Sequence, residues 1–241
     1  MVPIVISEQL RSNRLTASQW AVVDAFHRLY YEGRVVGTPQ WMGTFVLKNP
    51  MDLWDYQEII VATRPDVIIE TGTAWGGSAL FFATICDMIG HGRVISIDHI
   101  TNIPALYRWV FGQECEVPST RRPVHPRITY VSGDVLDQEV RDKVREMVHG
   151  TVMLSLDSHH DAGHVLEELR LWSPLVTVGC YCVIEDTNMG GHPVEEAPWH
   201  GPYDATVAFL QETQEFVLDW SMTERFLMSY NTWLLRKDSD V

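Results

Sequence analysis

The chain has 241 residues, of which 46% are hydrophobic and 21% are charged, and its formal net charge is −14. A length of this order suits one large α/β domain with a substantial buried core. The negative charge argues against binding to nucleic acid or to an anionic lipid surface, and no apolar run reaches the roughly 18 residues that a membrane-spanning helix requires.

Residues 1–50 are predicted to form an N-terminal segment of helical and extended structure. Apolar residues recur with helical spacing over residues 8–32, namely Leu10, Leu15, Trp20, Val23, Phe26 and Tyr30. After a glycine-containing loop, residues 41–47 are expected to form a short strand or an extended arm. The segment is a candidate cover for the acceptor or a candidate interface in a homo-oligomer such as a dimer, and the sequence leaves both open.

Residues 51–241 show the pattern of one α/β domain. A helix over residues 51–63 ends before Pro65, because the residue that precedes a proline disfavours helical geometry. Apolar strand segments and amphipathic helical segments then alternate. The predicted strands are 67–71, 93–98, 128–132, 151–157, 179–185, 215–221 and 228–236, and the predicted helices are 77–90, 137–148, 161–172 and 203–213.

This alternation favours a doubly wound, Rossmann-like α/β fold, in which helices cover both faces of a mostly parallel sheet of seven strands. No helix is predicted between the last two strands, so they are expected to form an antiparallel hairpin at one edge of the sheet. The connection over residues 100–127 is rich in proline and arginine and is too long for a simple loop. It could form a lid on the substrate side, or it could pack on the surface.

The cysteines and the N-terminal residues favour a reduced, cytoplasmic setting. Cys86, Cys115, Cys180 and Cys182 contain no C-x-x-C pattern. Cys180 and Cys182 alternate along a predicted buried strand and are expected in the core. The first fifteen residues lack the long apolar stretch of a signal peptide, so a cytoplasmic protein is the simpler expectation.

A glycine-containing turn, ETGTAWGGS at residues 70–78, joins the first strand and helix of the predicted sheet. A dinucleotide fingerprint would need glycine in place of Ala74, and a P-loop would need lysine in place of Ser78. The remaining interpretation is the acid-x-Gly-x-x-x-Gly loop of S-adenosylmethionine enzymes, with an ordinary βα turn as the alternative. The candidate cofactor residues in this turn are Glu70, Gly72, Thr73, Gly76 and Ser78.

Two further acids are predicted on the cofactor side. Asp98 ends the second strand, 28 residues after Glu70, where a carboxylate can bind both ribose hydroxyls of an adenosyl group. S-adenosylmethionine and NAD would both use such an acid, and a helix cap is the structural alternative. Asp134 ends the third strand, where an acid often faces the adenine in methyltransferases, although Gly-Asp is also a common turn.

Three carboxylates are predicted to converge at the carboxyl edge of the sheet. Asp157 ends the fourth strand, and Glu185 and Asp186 end the fifth. Clustered carboxylates repel one another unless a cation neutralises them, and Mg²⁺ prefers such oxygen ligands. The neighbouring His159-His160 pair raises zinc as a weaker alternative, and one of the two histidines is a candidate base. Asp157 or Asp186 could instead only cap the following helix.

These motifs, in this order, resemble the cephalosporin hydroxylase family over residues 41–236. Despite its name, this family contains S-adenosylmethionine-dependent methyltransferases, including the enzyme associated with cephalosporin 7-methoxylation and sugar O-methyltransferases that act on rhamnosyl groups. The markers of the resemblance are Trp41-x-Gly43, Lys48-x-Pro50, Tyr56-Gln57-Glu58, the turn at 70–78, Ile97-Asp98, Leu156-Asp157-Ser158-x-His160 and Glu185-Asp186-Thr187.

The resemblance implies the seven-stranded methyltransferase variant of the doubly wound fold. The site residues that it implies are Glu70, Gly72 and Asp98 for S-adenosylmethionine, and Asp157, Glu185 and Asp186 for Mg²⁺. Asp157 is also a candidate catalytic and cofactor-side residue. The acid-x-x-His spacing makes His160 a closer match for the base than His159.

The expected reaction is methyl transfer to a hydroxyl of a sugar, on a small molecule or an oligosaccharide. Two neighbouring hydroxyls would chelate Mg²⁺, and His160 would remove the proton. The loop over residues 189–203 suits a wall of the acceptor site, with a solvated loop as the alternative. Other functions left open are a catechol-type O-methyltransferase acting on a phenolic diol, a metal-dependent hydrolase, an NAD-dependent oxidoreductase and a protein that only binds its ligand.

Overall fold

The structure, a computed structural model, describes residue 12 and residues 14–100, 103–112, 121–195 and 199–238. The strands are β1 Gln40–Trp41, β2 Thr44–Phe45, β3 Val67–Thr71, β4 Arg93–Asp98, β5 Ile128–Ser132, β6 Val152–Leu156, β7 Tyr181–Ile184, β8 Phe216–Leu218 and β9 Thr232–Arg236. The helices are α1 Ala17–Glu32, α2 Pro50–Thr63, α3 Gly77–Met88, α4 Ile103–Phe111, α5 Gln138–Met147, α6 Ala162–Trp172, α7 Pro202–Glu212 and α8 Trp220–Thr223, with 3₁₀ turns at Val35–Gly37 and Ser173–Leu175.

Strands β3 to β9 form one sheet in the order β5-β4-β3-β6-β7-β9-β8. The five strands from β5 to β7 in this order are parallel, whereas β9 is antiparallel to both β7 and β8. The chain therefore reverses its direction of sheet growth between β3 and β6, and a crevice opens at the carboxyl ends of these two strands. The predicted doubly wound α/β fold with a C-terminal antiparallel hairpin is confirmed.

The sheet separates two apolar layers because side chains alternate between the faces of a strand. Ile69 and Leu154 pack into one cluster, which contains Leu169 of α6, whereas Ile68 and Met153 pack into the other. All five residues of β3 are buried, which is the pattern of a parallel strand covered on both faces.

Local signals in the sequence account for the boundaries of several helices. At the start of α2, the Asn49 side chain accepts a hydrogen bond from the backbone N–H of Met51, and Pro50 occupies the first helical position. The helix ends at Arg64, which adopts the left-handed conformation immediately before Pro65. Asp161 caps α6 by accepting from two backbone N–H groups.

Two parts of the predicted secondary structure are wrong. A short helix, α8, lies between the last two strands, because Asp219 accepts hydrogen bonds from the N–H groups of Ser221 and Met222 and thereby ends β8 early. The connection over residues 100–127 contains a nine-residue helix, α4, at Ile103–Phe111. Its strong amphipathic pattern was hidden by flanking prolines and arginines.

The N-terminal helix that the structure describes is shorter than the predicted one over residues 8–32. Helix α1 begins after Thr16, which forms a capping box with Gln19, and residues 1–11 and 13 lie outside the described residues. The predicted strand or arm at 41–47 is an antiparallel pair, β1 and β2, joined through Met42 and Gly43, both with positive φ. Within the described part of the chain, no helix is long and apolar enough to cross a membrane. Cys86, Cys180 and Cys182 are buried free thiols, and Cys115 lies outside the described residues.

Candidate active site

The carboxyl ends of β3, β4, β6 and β7 bring the predicted acids to one edge of the sheet. Glu70 on β3 lies between Ser96 of β4 and Ser155 of β6 in the strand register. The backbone N–H of Asp157 donates to the carbonyl of Thr71, so this acid follows β6 at the level of the β3 terminus. Glu185 and Asp186 directly follow β7, the next strand of the sheet.

Asp157, His160 and Asp186 form a group that could hold a metal ion. One ligand atom from each residue lies within 4.8 Å of the other two. His160 Nε2 is 3.5 Å from Asp186 Oδ2. Asp186 has a φ of +54°, in the left-handed region that few residues adopt, and its backbone N–H donates to Asn231 Oδ1 over 3.3 Å. The unusual backbone conformation is thus held at a site where carboxylates converge.

Glu185 is the predicted metal ligand that the structure does not bring into this group. Its Oε1 accepts a hydrogen bond from the hydroxyl of Tyr56 and lies 3.3 Å from Ser155 Oγ. The same oxygen is 2.8 Å from Lys48 Nζ. The Glu185 carboxylate therefore contacts Tyr56, Ser155 and Lys48. Its role as a metal ligand stays a prediction.

Lys48 places a positive charge inside the cluster of acids. Its Nζ lies 2.9 Å from Asp157 Oδ2 and 2.8 Å from Glu185 Oε1, and its side chain is only 1% exposed. Burial lowers the pKa of Lys48, but the carboxylates of Asp157 and Glu185 raise it by more than burial lowers it. The pKa of Lys48 therefore lies above its usual range. The side chain is a fixed cation.

The remaining electrostatics favour a metal ion. Burial raises the pKa of Asp157 well above its usual range, against the opposing effect of Lys48, and Glu185 and Asp186 raise it further. Burial also raises the pKa of Asp186, against the opposing effect of His160. Even with Lys48 present, the carboxylates are short of positive charge. Two carboxylates and an imidazole are donors that fit a divalent cation, and the oxygen share suits Mg²⁺.

The two histidines after β6 differ in their surroundings. His159 is exposed, and its Nδ1 accepts a hydrogen bond from the backbone N–H of Asp161. His160 is partly buried and faces Asp186. Only the second side chain therefore points at the candidate metal group.

Glu70 is the strongest candidate on the cofactor side. It is fully buried, its Oε2 accepts a hydrogen bond from Ser96 Oγ over 2.5 Å, and its Oε1 has no hydrogen-bond partner within the described part of the chain. Burial raises the pKa of Glu70, and nearby Lys48 and the hydroxyl groups of Ser78 and Ser96 oppose this effect. A buried carboxylate oxygen with no donor is a place where a cationic or N–H-bearing ligand group fits. S-adenosylmethionine, whose methionine part is cationic, meets this requirement.

The other residues of the turn at 70–78 contact neighbouring segments of the chain. A Cβ on Gly72, which has a φ of +81°, would lie 1.8 Å from the carbonyl oxygen of Asp157, and one on Gly77 would lie 2.0 Å from that of Phe45. These glycines are therefore already required by the close approach of neighbouring backbone. Thr73 Oγ1 lies 2.7 Å from Ser96 Oγ. Gly76 precedes α3 with no side-chain cap, and Ser78 lies buried in the first turn of that helix.

Asp98 is held by the chain itself. Its Oδ2 accepts from the Ala74 N–H over 2.9 Å and from Arg122 Nη2 over 3.0 Å, while its Oδ1 accepts from the Ile100 N–H. Arg122 thus ties the end of the 100–127 connection to the cofactor side of the crevice. Asp134 is exposed, and its Oδ1 accepts from the Leu136 N–H as in an ordinary turn. The ribose and adenine roles of these acids stay predictions.

Residues 34–237 match the family described as Rhamnosyl O-methyltransferase/CmcI. The chain belongs to this family. The resemblance drawn from its sequence motifs is therefore confirmed, and the protein is a member of a family of O-methyltransferases.

Similar proteins support this placement. The Rhamnosyl O-methyltransferase of Mycobacterium leprae (strain TN) is 32% identical over 224 residues, which are 90% of this chain and 91% of that protein. The Rhamnosyl O-methyltransferase of Mycobacterium tuberculosis (strain H37Rv) is 33% identical over 196 residues, 80% of this chain and 74% of that protein. A solved structure of CmcI with Mg and SAM is 22% identical, covers 84% of this chain and 78% of that chain, and has a TM-score of 0.59, which is a likeness of fold.

A cavity of about 330 Å³ lies between α1 and the loop that follows Asp186, and its lining includes Asn231, which accepts a hydrogen bond from the Asp186 N–H. Helix α1 is held against that loop: Arg28 Nε donates to the carbonyl of Pro193, and the hydroxyl of Tyr31 donates to Glu195 over 2.6 Å. The residues that line the cavity include Trp20, His27, Asn188, His192, Tyr203 and Asn231. The N-terminal helix therefore forms one wall of a cavity next to the site.

Three residues near the site were not predicted from the sequence to be functional. Lys48 and Tyr56 were only markers of the family resemblance, and neither lies in a motif with an obvious chemical role. Arg122 was one of several arginines in the long connection. The signal for Lys48 was available, since a lysine immediately before a helix-capping Asn49-Pro50 is fixed by the start of α2.

Proposed function

We propose that this protein transfers a methyl group from S-adenosylmethionine to a hydroxyl group of a sugar, with Mg²⁺ bound by Asp157 and Asp186 beside His160. The observation that carries the proposal is the position of this group at the same sheet edge as the half-satisfied Glu70. The names of the mycobacterial relatives favour a rhamnosyl acceptor, and the CmcI structure with Mg and SAM favours this pair of cofactors.

Different residues along the edge of the sheet would bind the cofactor, bind the metal and remove the proton. Glu70 and Asp98 would bind the methionine and ribose parts of S-adenosylmethionine, which when bound supplies an electrophilic methyl group. Asp157 and Asp186 would hold Mg²⁺, which when bound lowers the pKa of a coordinated hydroxyl. His160 would accept the proton of the acceptor hydroxyl as the acceptor oxygen takes the methyl group, and S-adenosylhomocysteine would be the leaving group. General base catalysis of this kind contributes about 10²- to 10⁴-fold.

The cavity beside α1 supports a sugar as the acceptor. Both amide atoms of Asn188 and the Nδ2 of Asn231 are buried and have no hydrogen-bond partner within the described part of the chain. The rings of His192 and Tyr203 stack with their centroids 3.8 Å apart and 11° between their planes, which provides a flat aromatic surface. Amide groups and an aromatic face match the hydroxyls and the C–H face of a pyranose. Residues 1–50 would accordingly serve as a cover for the acceptor through α1.

Transfer of label from S-[methyl-³H]adenosylmethionine tests the proposal. The acceptors would be methyl α-L-rhamnopyranoside, other methyl glycosides and catechol, each with Mg²⁺ and with EDTA. Mg²⁺-dependent labelling of a glycoside is the expected result, and Asp142→Asn, at an exposed position on α5, provides a variant of equal charge change to compare with Asp157→Asn. Labelling of catechol alone would replace the sugar by a phenolic diol. No labelling, together with no heat of S-adenosylhomocysteine binding in calorimetry, would contradict the methyltransferase assignment.

A further inference from the structure

Lys48 lies at the centre of the candidate site but belongs to neither the cofactor group nor the metal group. Its ammonium bridges two acids that come from different strand ends, Asp157 after β6 and Glu185 after β7, with N–O distances of 2.9 and 2.8 Å. Among the described residues, no other lysine or arginine lies within 4.0 Å of a carboxylate oxygen of these two acids. The bridge therefore links the residues that follow the two strand ends.

The backbone that carries Lys48 is fixed by the start of α2. The next residue, Asn49, caps α2, and its side-chain amide donates to the carbonyl of Met228. Pro50 begins the helix, which further limits the backbone. The ammonium also lies 5.7 Å from the ring centroid of Tyr56 on the same helix, whose hydroxyl bonds to Glu185. Lys48, just before α2, thus gives Glu185 a positive charge, and Tyr56, within α2, gives it a hydrogen-bond donor.

Charge balance gives this arrangement its consequence. Four carboxylates converge on this edge: Glu70 and Glu185 are buried, and Asp157 and Asp186 are partly buried. Carboxylates withdrawn from water without a counter-charge are destabilising. Lys48 supplies one positive charge permanently. A metal ion at Asp157 and Asp186 would then add its charge within a short distance of the ammonium, and like charges so close repel appreciably even at an effective dielectric constant of about 20.

We propose that Lys48 is a positioning residue that acts as an internal cation: it holds the carboxylates of Asp157 and Glu185 in place, and its positive charge weakens the affinity of the site for Mg²⁺. The inference rests on the proposed function, because it presumes that Mg²⁺ binds at Asp157 and Asp186. The ammonium and the metal divide the negative charge of the cluster between them. A site tuned in this way keeps its geometry without metal and binds the ion reversibly.

The test compares Lys48→Met with the wild type by two measurements that need no acceptor and no turnover. Thermal unfolding in EDTA reports the stability of the metal-free protein, and calorimetry with MgCl₂ reports metal affinity. In Lys48→Met the unfolding temperature in EDTA falls, while Mg²⁺ binds about tenfold more tightly or better, because the repulsion is gone. The double variant Lys48→Met/Glu185→Gln recovers most of the lost unfolding temperature, because both members of the ion pair are then absent.

Arg225→Met is the matched control. Arg225 Nη1 pairs with Glu58 and lies 3.4 Å from Asp55, both on α2 and away from the strand ends. This variant also removes a cation that pairs with helix α2, so it changes stability without changing Mg²⁺ affinity. If Lys48→Met is not soluble, the double variant is compared with Glu185→Gln alone, and removal of Lys48 in that background again tightens Mg²⁺ binding.

Unchanged or weaker Mg²⁺ binding after removal of Lys48 would overturn the inference and leave the proposed function intact. If the wild-type protein binds no Mg²⁺ in calorimetry, the proposed metal site fails and the inference fails with it. Lys48→Arg separates charge from shape: retained charge keeps the wild-type Mg²⁺ affinity to within a few-fold, whereas a role that depends only on the shape of lysine would not.

Discussion

His160 Nε2 lies 3.5 Å from Asp186 Oδ2, across the ends of two neighbouring parallel strands. The contact joins the candidate base to a candidate metal ligand. Asp186 has a left-handed backbone conformation, and its N–H donates to the Asn231 side chain. In the proposed roles of these two residues, proton removal and metal binding would take place within one small volume.

His160→Ala is expected to lower kcat for methyl transfer by about 10²- to 10⁴-fold, because the acceptor hydroxyl loses its base. The affinity for S-adenosylhomocysteine changes little, since the imidazole faces the metal group. The neighbouring His159→Ala is the control and keeps kcat to within a few-fold, because that side chain is exposed. Equal losses in the two variants would remove His160 from its assigned role.

Asp186→Asn is expected to weaken Mg²⁺ binding by more than about tenfold, since even the outer-shell partners of metal ligands change affinity by that much. Calorimetry with MgCl₂ and with S-adenosylhomocysteine separates the two sites. Asp142→Asn on the exposed face of α5 is the charge-matched control. Loss of cofactor binding with Mg²⁺ binding unchanged would contradict the metal assignment.

Asp98→Ala is expected to weaken S-adenosylhomocysteine binding by about 10- to 100-fold, the range for one or two lost charge-assisted hydrogen bonds. Mg²⁺ affinity stays at the wild-type value because Asp98 lies on β4, two strands away from the β6 terminus. Asp142→Ala, at an exposed position on α5, is the control. An unchanged affinity for S-adenosylhomocysteine in Asp98→Ala would contradict the ribose-binding role of Asp98. Its hydrogen bonds with Ala74 and Arg122 would then be structural only.

Tyr203→Ala is expected to raise the KM for a methyl glycoside by about 5- to 10-fold, the range for loss of an aromatic contact, with kcat nearly unchanged. Tyr203→Phe retains the ring that stacks on His192 and serves as the control. Steady-state kinetics with methyl α-L-rhamnopyranoside measure both constants. An unchanged KM in Tyr203→Ala would place the acceptor outside the cavity beside α1.

Glu168 predicts a pH dependence of stability that is separate from metal binding. It is fully buried on α6, and burial raises its pKa to about 7, with His164 Nε2 3.6 Å away. Between pH 4.5 and 7 the folded protein holds a proton on this acid and the unfolded chain does not, so rising pH destabilises the folded state. The free energy of unfolding falls by up to about 3 kcal/mol over this window.

Glu168→Gln removes this part of the pH dependence, as urea unfolding in EDTA at several pH values would measure. Glu167→Gln is the matched control, because Glu167 lies next along the same helix with a side chain that is 50% exposed. Parallel pH profiles for the wild type and Glu168→Gln would show that Glu168 ionises normally in the folded protein.

The sequence predicted the parallel sheet well because its strands are buried on both faces. Residues 67–71 read as a continuous apolar run ended by an acid, and their strand bounds match β3. The same logic located Asp157 and Asp186 together, since parallel strands end at one edge. The C-terminal hairpin was less accurate, because Asp219 caps a four-residue helix that is too short to leave a periodic pattern.

The sequence could not predict which side chains Glu185 and Asp186 would each contact. Glu185 and Asp186 are adjacent, yet one turns towards Lys48 and Tyr56 and the other towards His160. That division depends on the positive φ of Asp186 and on a lysine 137 positions earlier in the chain (185 − 48). Neither is a local property of the motif. Arg122 likewise reaches Asp98 from a connection whose course no periodicity specifies.

The most direct test of the account is a crystal structure with Mn²⁺, S-adenosylhomocysteine and methyl α-L-rhamnopyranoside, with anomalous diffraction used to locate the metal. An anomalous peak is expected within bonding distance of Asp157 and Asp186, with one sugar hydroxyl between the metal and His160. A peak elsewhere, or a sugar bound away from this edge of the sheet, would contradict it.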